Sequence, residues 1–527
     1  MKIKNRPQLY LLVLLTVSIL LKQLLWVGFI PMWQFPDEQA HFAEVQNYAE
    51  GNPINPARIP TTSKEIDESE KYLETKRDGF GNNKYTYHQE FNIPYSATKE
   101  GIYESTIKNF PTSYRHELVT DEATVYPFLY YKLAAGFYTS VIRSDIITRV
   151  FFVRLLNLTF FILLTFLSYL IGKMLFPKNF LYQITLVIFV CFHPMLSFLG
   201  GGVNSDNLFI LIFTLSIYQS LKVLNRGWSI VDIIAMFLVT WVATSTKELG
   251  RLVPLVFLYP GVYWIVGHKQ HWKKILALSL IGIVLFSIIF RQPITQFVRG
   301  EQFISEVPGW PILFSSAKES YLNHFVSTAK HTYREILPWY WGVYRWLSMT
   351  YPRPVHRIIN WILVIAILGL FYALYNSHLK KRGVLTKNLW FLIYVSGMYF
   401  MAITTFDYLF KISHGFSLGV QGRYFFPTIV PHMALILIGL FSLVSKISLN
   451  QRLIKLLGLA MIALHTYAFY FVTSSYFSKT SVSLFIVQAS QYKPWLFKSP
   501  FLEIYSLLFI SVLLLFIVNY LRIYAKN

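Results

Sequence analysis

The sequence of 527 residues has one cysteine, and only 14% of its residues are charged. A single thiol, Cys191, excludes an intrachain disulfide and any cysteine-based metal cluster, and its place inside an apolar run gives it a packing role. Carboxylates are scarce as well: 26 Asp and Glu stand against 48 Lys and Arg, a formal net charge of +22. The cations are scattered in short loops between apolar runs and form no continuous patch the size of a groove, which argues against a nucleic-acid partner. No internal repeat suggests a solenoid, and no low-complexity segment suggests a disordered tail.

What is present in abundance is apolar surface: 54% hydrophobic and 18% aromatic residues, with a mean hydropathy of +0.44. Runs of about 20 residues, enough to cross a hydrocarbon core as helices, recur too often for a single anchor, and a β-barrel would show short alternating segments instead. The expected fold is therefore an all-α polytopic membrane protein. Spans are predicted at about 10–30, 150–172, 180–198, 205–221, 229–246, 252–267, 274–290, 356–376, 389–406, 424–445, 455–474 and 500–521, about twelve helices in all. Lys2, Lys4 and Arg6 before the first run resemble a signal peptide, but the run's length and the bulky Pro31-Met32-Trp33-Gln34 after it favour a retained first helix.

The spans divide the chain into a first helix (1–30), a long first loop (31–149) with short helices, helices two to seven (150–291), a second loop (292–355) and helices eight to twelve (356–527). Tyr126 to Tyr131 opens a segment too short and too interrupted by Lys132 and Arg143 to span, and it is expected to lie in the interface. Loops assigned to one side carry Lys173, Lys178, Lys222, Arg226, Lys269, Lys273, Lys274, Lys380, Lys381, Arg382, Lys387, Lys446, Arg452, Lys455, Arg522 and Lys526, with Asp232 as the only carboxylate. By the positive-inside rule that side is cytoplasmic, both termini lie there, and both long loops are extracytoplasmic.

Trp33-Gln34-Phe35-Pro36-Asp37-Glu38-Gln39-Ala40-His41 follows the first span directly. Pro36 favours a first helical turn, so Asp37 and Glu38 fall at a helix N-terminus with His41 on the face of Asp37, grouping acid/base chemistry at the membrane surface; carboxylates that merely complement the helix dipole are the plainer alternative. Four further groups converge on the same boundary. Gly200-Gly201-Gly202-Val203-Asn204-Ser205-Asp206 leads into a helix that Asn204 or Ser205 could cap, with Asp206 at its positive end. Lys247-Glu248-Leu249-Gly250-Arg251 puts two cations into a short turn, and Gln421-Gly422-Arg423-Tyr424 puts an arginine at a helix start. Trp339 to Trp346 is an aromatic run suited to an interfacial belt or to stacking on sugar rings. Cations on the outer side run against the positive-inside bias, so Lys247, Arg251 and Arg423 suggest an anionic ligand such as a lipid-linked phosphate.

Pro36-Asp37-Glu38-Gln39-Ala40-His41, Tyr126-Pro127-Phe128-Leu129-Tyr130-Tyr131, Val203-Asn204-Ser205-Asp206 and Gln421-Gly422-Arg423-Tyr424-Phe425-Phe426-Pro427, in that order, resemble a family of poorly characterised bacterial membrane proteins related to the GT-C glycosyltransferases. The resemblance implies a GT-C-like helical bundle in the bacterial plasma membrane. It also implies transfer of a sugar from a polyprenyl-phosphate donor to a glycan, lipid or protein acceptor outside the cytoplasm. By resemblance Asp37 is the general base, Glu38 assists in acceptor or metal binding and Asp206 is a second acidic contributor, while which carboxylate of the adjacent pair carries the proton stays open; His41 joins Asp206 as a second acidic or acceptor-side group. Lys247, Arg251 and Arg423 would hold the donor phosphate, and Tyr130, Trp341 and Tyr424 would contact sugar or lipid. Single displacement would invert the anomeric carbon. No cofactor is expected; a divalent ion on Asp37, Glu38 and His41 is possible, though three ligands are too few to assert one. The rival function is a transporter or flippase of a lipid-linked saccharide, which would place ionisable residues near the bilayer midplane; the predicted spans hold almost no carboxylates there.

Overall fold

The computed structural model describes residues 6–52, 61–79, 81–120, 127–267, 320–379, 383–417, 419–444 and 450–523. The span expected at 274–290, the first part of the second loop (292–319), Tyr126, Lys269, Lys273, Lys274, Lys380, Lys381, Arg382, Lys446 and Lys526 lie outside them. Among the described residues, nine helices are long and apolar enough to cross a membrane, and two apolar helices are shorter, Phe180–Cys191 and Ile230–Thr246. Each of the eleven coincides with a span read from hydrophobicity.

Helix α1 (Arg6–Phe29) opens on Pro7, whose missing N–H costs nothing in a first turn, and the chain leaves it before Pro31. The segment that follows holds α2 (Glu38–Glu50), α3 (Lys64–Leu73), α4 (Glu104–Lys108) and α5 (Leu129–Ser140), with a small antiparallel pair formed by β1 (Thr61–Ser63) and β2 (Leu118–Thr120). The segment expected to lie in the interface becomes α5, and it buries Tyr130, Tyr131 and Tyr138 completely.

Next come α6 (Ile146–Leu175), capped by Asp145, and α7 (Phe180–Cys191). The single span expected at 180–198 is broken: α7 stops, His193 is extended, and Pro194 starts α8 (Pro194–Leu199). Proline disfavours helical backbone in the residue before it and donates no hydrogen bond of its own. Lys22 of α1 fills the gap by donating to the Cys191 carbonyl and, at 2.7 Å, to Ser197 Oγ. This places a buried cation on the carbonyl end of α7, where the helix dipole favours it.

The bundle continues with α9 (Asp206–Arg226), α10 (Ile230–Thr246) and α11 (Val253–Gly267), then α12 (Ser320–His331), a π-turn at Thr332–Ile336 and α13 (Leu337–Trp341). A two-residue hairpin, β3 (Val343–Tyr344) with β4 (Met349–Thr350), precedes α14 (Arg353–Leu379) and α15 (Gly383–His414). The expected 424–445 span begins as a 3-10 turn, Gly422–Thr428, and continues as α16 (Ile429–Val444); α17 (Asn450–Tyr476), α18 (Val482–Ala489) and α19 (Phe501–Arg522) complete the order. On α14 and α19 large apolar side chains face outward, Trp361 at 68% and Leu507 at 65% exposure, as lipid-facing helices require. Where α14 crosses α16, a Cβ on Gly369 or on Gly439 would overlap the backbone of the other helix, so only glycine permits that approach.

Candidate active site

Asp37 and Glu38 are neighbours in sequence with different surroundings. Glu38 opens α2 and is fully buried against the equally buried Arg154 of α6. Arg154 reaches both carboxylate oxygens, Nε to Oε1 at 2.7 Å and Nη2 to Oε2 at 2.6 Å. It also donates to the carbonyls of Val27, Ile30 and Pro31, which end α1. The backbone N–H groups of Trp33 and Val203 donate to the same carboxylate, each at 3.1 Å. This knot fixes the α1–α2 corner and the glycine-rich turn before α9. It also engages both Glu38 oxygens, so Glu38 does not join Asp37 and His41 around a common ion.

Asp37 precedes α2 in the left-handed region, φ 56°, and its side chain makes no capping bond to the helix. It turns to two guanidinium groups: Arg423 Nη2 donates to Oδ2 at 2.7 Å and Arg77 Nη1 to Oδ1 at 3.2 Å. The Asp37 side chain is 33% exposed, against 7% for Arg423 and 8% for Arg77. Its depth opposes ionisation, but Arg423 above all, then Arg77 and His41, hold its carboxyl well below the usual range. Among the described residues, Arg423 Nε and Nη1 are buried donors with no hydrogen-bond partner. It sits on the 3-10 turn because Gly422 packs so closely on the Tyr340 backbone that a Cβ would overlap it.

His41, one turn into α2, bonds through Nδ1 to the Tyr131 hydroxyl at 2.8 Å. Burial lowers its pKa to about 4, against the pull of Asp37 and Asp206, while Lys247 and Arg423 push it the same way as burial. The ring is therefore neutral at pH 7. Asp206, at the start of α9, pairs with Lys247, which ends α10, and Arg423 acts on Asp206 as well. Asp37, His41, Asp206, Lys247 and Arg423, read from four separate stretches of sequence, thus form one electrostatic cluster.

A cavity of about 420 Å³ opens over Asp37, Arg77, Arg423 and Tyr424. The hairpin turn Arg345-Trp346-Leu347 and the Glu335 carboxylate, on the π-turn, lie in the same wall. Among the described residues, five of the eight non-glycine residues with positive φ line this cavity: Asp37, Tyr87, Arg345, Trp346 and Leu347. Left-handed backbone costs about 1–2 kcal/mol per such residue and gathers where function requires it. Beside the cavity an apolar groove of about 340 Å³ is lined by Tyr340, Trp341, Phe425 and His432, among others. The turn after Gly422 separates the two spaces, presenting Arg423 and Tyr424 to the polar one and Phe425 to the apolar one.

The remaining sequence-predicted residues stand apart from the polar wall. Tyr130 is fully buried, its hydroxyl bonding the Asn204 backbone N–H at 3.0 Å and meeting Asn157. Trp341 stacks on His193 at 4.9 Å and faces the groove. Arg251 lies on the turn Glu248–Leu252 and is not part of the cavity wall. Arg77, Arg154, Tyr87 and Glu335 were not singled out from sequence. An arginine inside an apolar run was the available signal for Arg154; the others sit in polar stretches without periodicity.

Among the described residues, no three His, Cys, Asp or Glu side chains gather in a way that could hold a metal ion. No curated protein matches the sequence. Two solved structures share its outline weakly. ArnT from Cupriavidus metallidurans bound to undecaprenyl phosphate matches with a TM-score of 0.40 and 13% identity over 97% of this chain and 76% of that one. The same protein in the apo state gives 0.39 and 14% over the same shares. A family model described as "Predicted membrane protein (DUF2142)" matches residues 20–432, well over half of the sequence, and the chain belongs to that family.

Proposed function

We propose that this protein is a membrane glycosyltransferase of the bacterial envelope. It transfers a sugar from a polyprenyl-phosphate donor to an acceptor hydroxyl on the extracytoplasmic side. The observation that carries this proposal is the Asp37–Arg423 pair on the wall of a polar cavity that adjoins an apolar groove across three consecutive residues, Arg423 to Phe425. A lipid-linked sugar phosphate has the same division: an anion between a polar ring and an apolar chain.

Arg423, with two donors that have no partner among the described residues, binds the donor phosphate, and Lys247 adds positive potential from behind. Asp37 is held deprotonated by its arginines, which makes it a proton acceptor but a weak one at rest. Engagement of Arg423 by the phosphate draws the guanidinium away and raises the basicity of Asp37 when substrate is present. The acceptor oxygen then attacks the anomeric carbon and gives its proton to Asp37. The new C–O bond forms as the bond to the phosphate oxygen breaks, and the electron pair leaves with the phosphate, stabilised by Arg423. One displacement inverts the configuration. Glu38 serves through Arg154 as a positioning residue, and neutral His41 fixes the Asp37 turn through Tyr131.

The test is sugar release and transfer from a panel of polyprenyl-phosphate sugars by purified protein, native and Asp37→Ala. Cleavage present in the native protein and lost in the variant is expected. Saturable lipid binding with no cleavage of any donor overturns the transferase in favour of a transporter of the same lipid.

A further inference from the structure

Two aromatic side chains at the mouth of the cavity are held by backbone that ordinary residues avoid. Tyr87 has φ 63° and is 62% exposed, and its ring packs on no other ring among the described residues. Trp346 has φ 54° between Arg345 at 50° and Leu347 at 63°, three left-handed residues in succession without a glycine. The two sites are tied together, Tyr87 N–H donating to the Trp346 carbonyl at 3.1 Å. The Trp346 indole donates in turn to the Trp33 carbonyl at 3.1 Å, which anchors it to the corner carrying Asp37. Arg345 holds the far side by donating to Ser475 and Phe91 carbonyls. A large exposed aromatic kept in an unfavourable conformation gains nothing from packing, so its orientation calls for another cause.

Around these rings the wall offers the neutral amides of Asn82 and Gln421. Flat apolar faces beside amide donors and acceptors match a pyranose ring, which has a C–H face that stacks and hydroxyls that need both kinds of partner. A lipid headgroup would call for an exposed cation, and the arginines of this wall are buried, Arg345 on the Ser475 and Phe91 carbonyls and Arg77 and Arg423 on Asp37.

We infer that Tyr87 and Trp346 form a stacking platform for a carbohydrate ring, which makes the acceptor of the reaction a glycan. The identification of that sugar as the acceptor rests on the proposed transferase; the platform itself does not. The experiment is binding of neutral oligosaccharides, a β-1,4-linked N-acetylglucosamine tetramer and an α-1,4-linked glucose hexamer, to the full chain in a detergent without a sugar headgroup, followed by tryptophan fluorescence. Native protein binds at least one of them, Tyr87→Ala weakens binding about tenfold, and Tyr87→Phe, which keeps the ring, restores most of it. Absence of binding by native protein, or equal binding by Tyr87→Ala, overturns the platform. Donor cleavage is read separately on native protein: glycan binding that depends on Tyr87 without any donor cleavage keeps the platform and removes the transferase, whereas cleavage without glycan binding does the reverse.

Discussion

Glu38 and Asp37 are one residue apart and belong to opposite kinds of environment. Around Glu38 every strong donor within reach is satisfied: Arg154 is fully buried, spans the carboxylate and spends its other N–H groups on three carbonyls. Around Asp37 the same pairing of acid and arginine is more open, with the carboxylate side chain 33% exposed and two Arg423 donors without a partner among the described residues. A closed pair holds a corner; an open pair can exchange one partner for a substrate. The difference separates a closed carboxylate from an open one where the dipeptide alone does not.

The largest effect expected is on the closed pair. Arg154→Met leaves a buried carboxylate unpaired and should cost about 3–5 kcal/mol, read as a sharp fall in thermal midpoint and in yield of folded protein. A midpoint equal to the native one would erase the distinction between the pairs. Asp37→Asn should lower transfer by about 10²–10⁴-fold and cost less stability than Arg154→Met, because the Asp37 side chain is 33% exposed and Glu38 is fully buried. Arg423→Lys keeps the charge but loses the planar fork, so the donor KM should rise by about tenfold, with a smaller change in kcat.

Two buried groups on α2 sharpen the comparison through pH. The His41 pKa is lowered by burial from 6.5 to about 4, so the unfolded chain takes up the proton first. Its contribution is present above pH 6.5 and is lost as pH falls through 4. Burial raises Glu44 from 4.5 to about 7, so the sign reverses: that contribution is present below pH 4.5 and is lost as pH rises through 7. Glu44→Gln should therefore flatten the alkaline side of a midpoint-versus-pH curve and stabilise the protein by about 1–2 kcal/mol at pH 8, leaving the acid side to His41. An unchanged alkaline side would remove Glu44 from the account.

Much of the fold could be read in the sequence because one variable, apolar run length, determines it. Where the reading failed, a local backbone rule overrode hydrophobicity, as at His193-Pro194, where one expected span became two helices. The candidate site was legible to the extent that its residues lie at the ends of apolar runs: Asp37, Asp206, Lys247 and Arg423 are each next to one. Arg77 was not, since it reaches Asp37 across 40 residues from a mixed-charge stretch. Tyr87 was missed for the same reason, since it meets Trp346 only across a long stretch of chain, whereas Trp346 itself lies in the aromatic run Trp339 to Trp346 that the sequence singled out. Glu38 could not be told from Asp37 in the sequence because its partner Arg154 lies 116 residues away.

The closed pair also bears on how the chain is assembled. All the protein acceptors that Arg154 uses, the carbonyls of Val27, Ile30 and Pro31 and the Glu38 carboxylate, precede it in the chain. When α6 enters the bilayer during synthesis, the charge it carries meets partners that have already been made. Arg423, by contrast, meets Asp37 from 386 residues downstream. A nascent chain can therefore neutralise this buried cation early, and it gains the Asp37–Arg423 pair only late in translation.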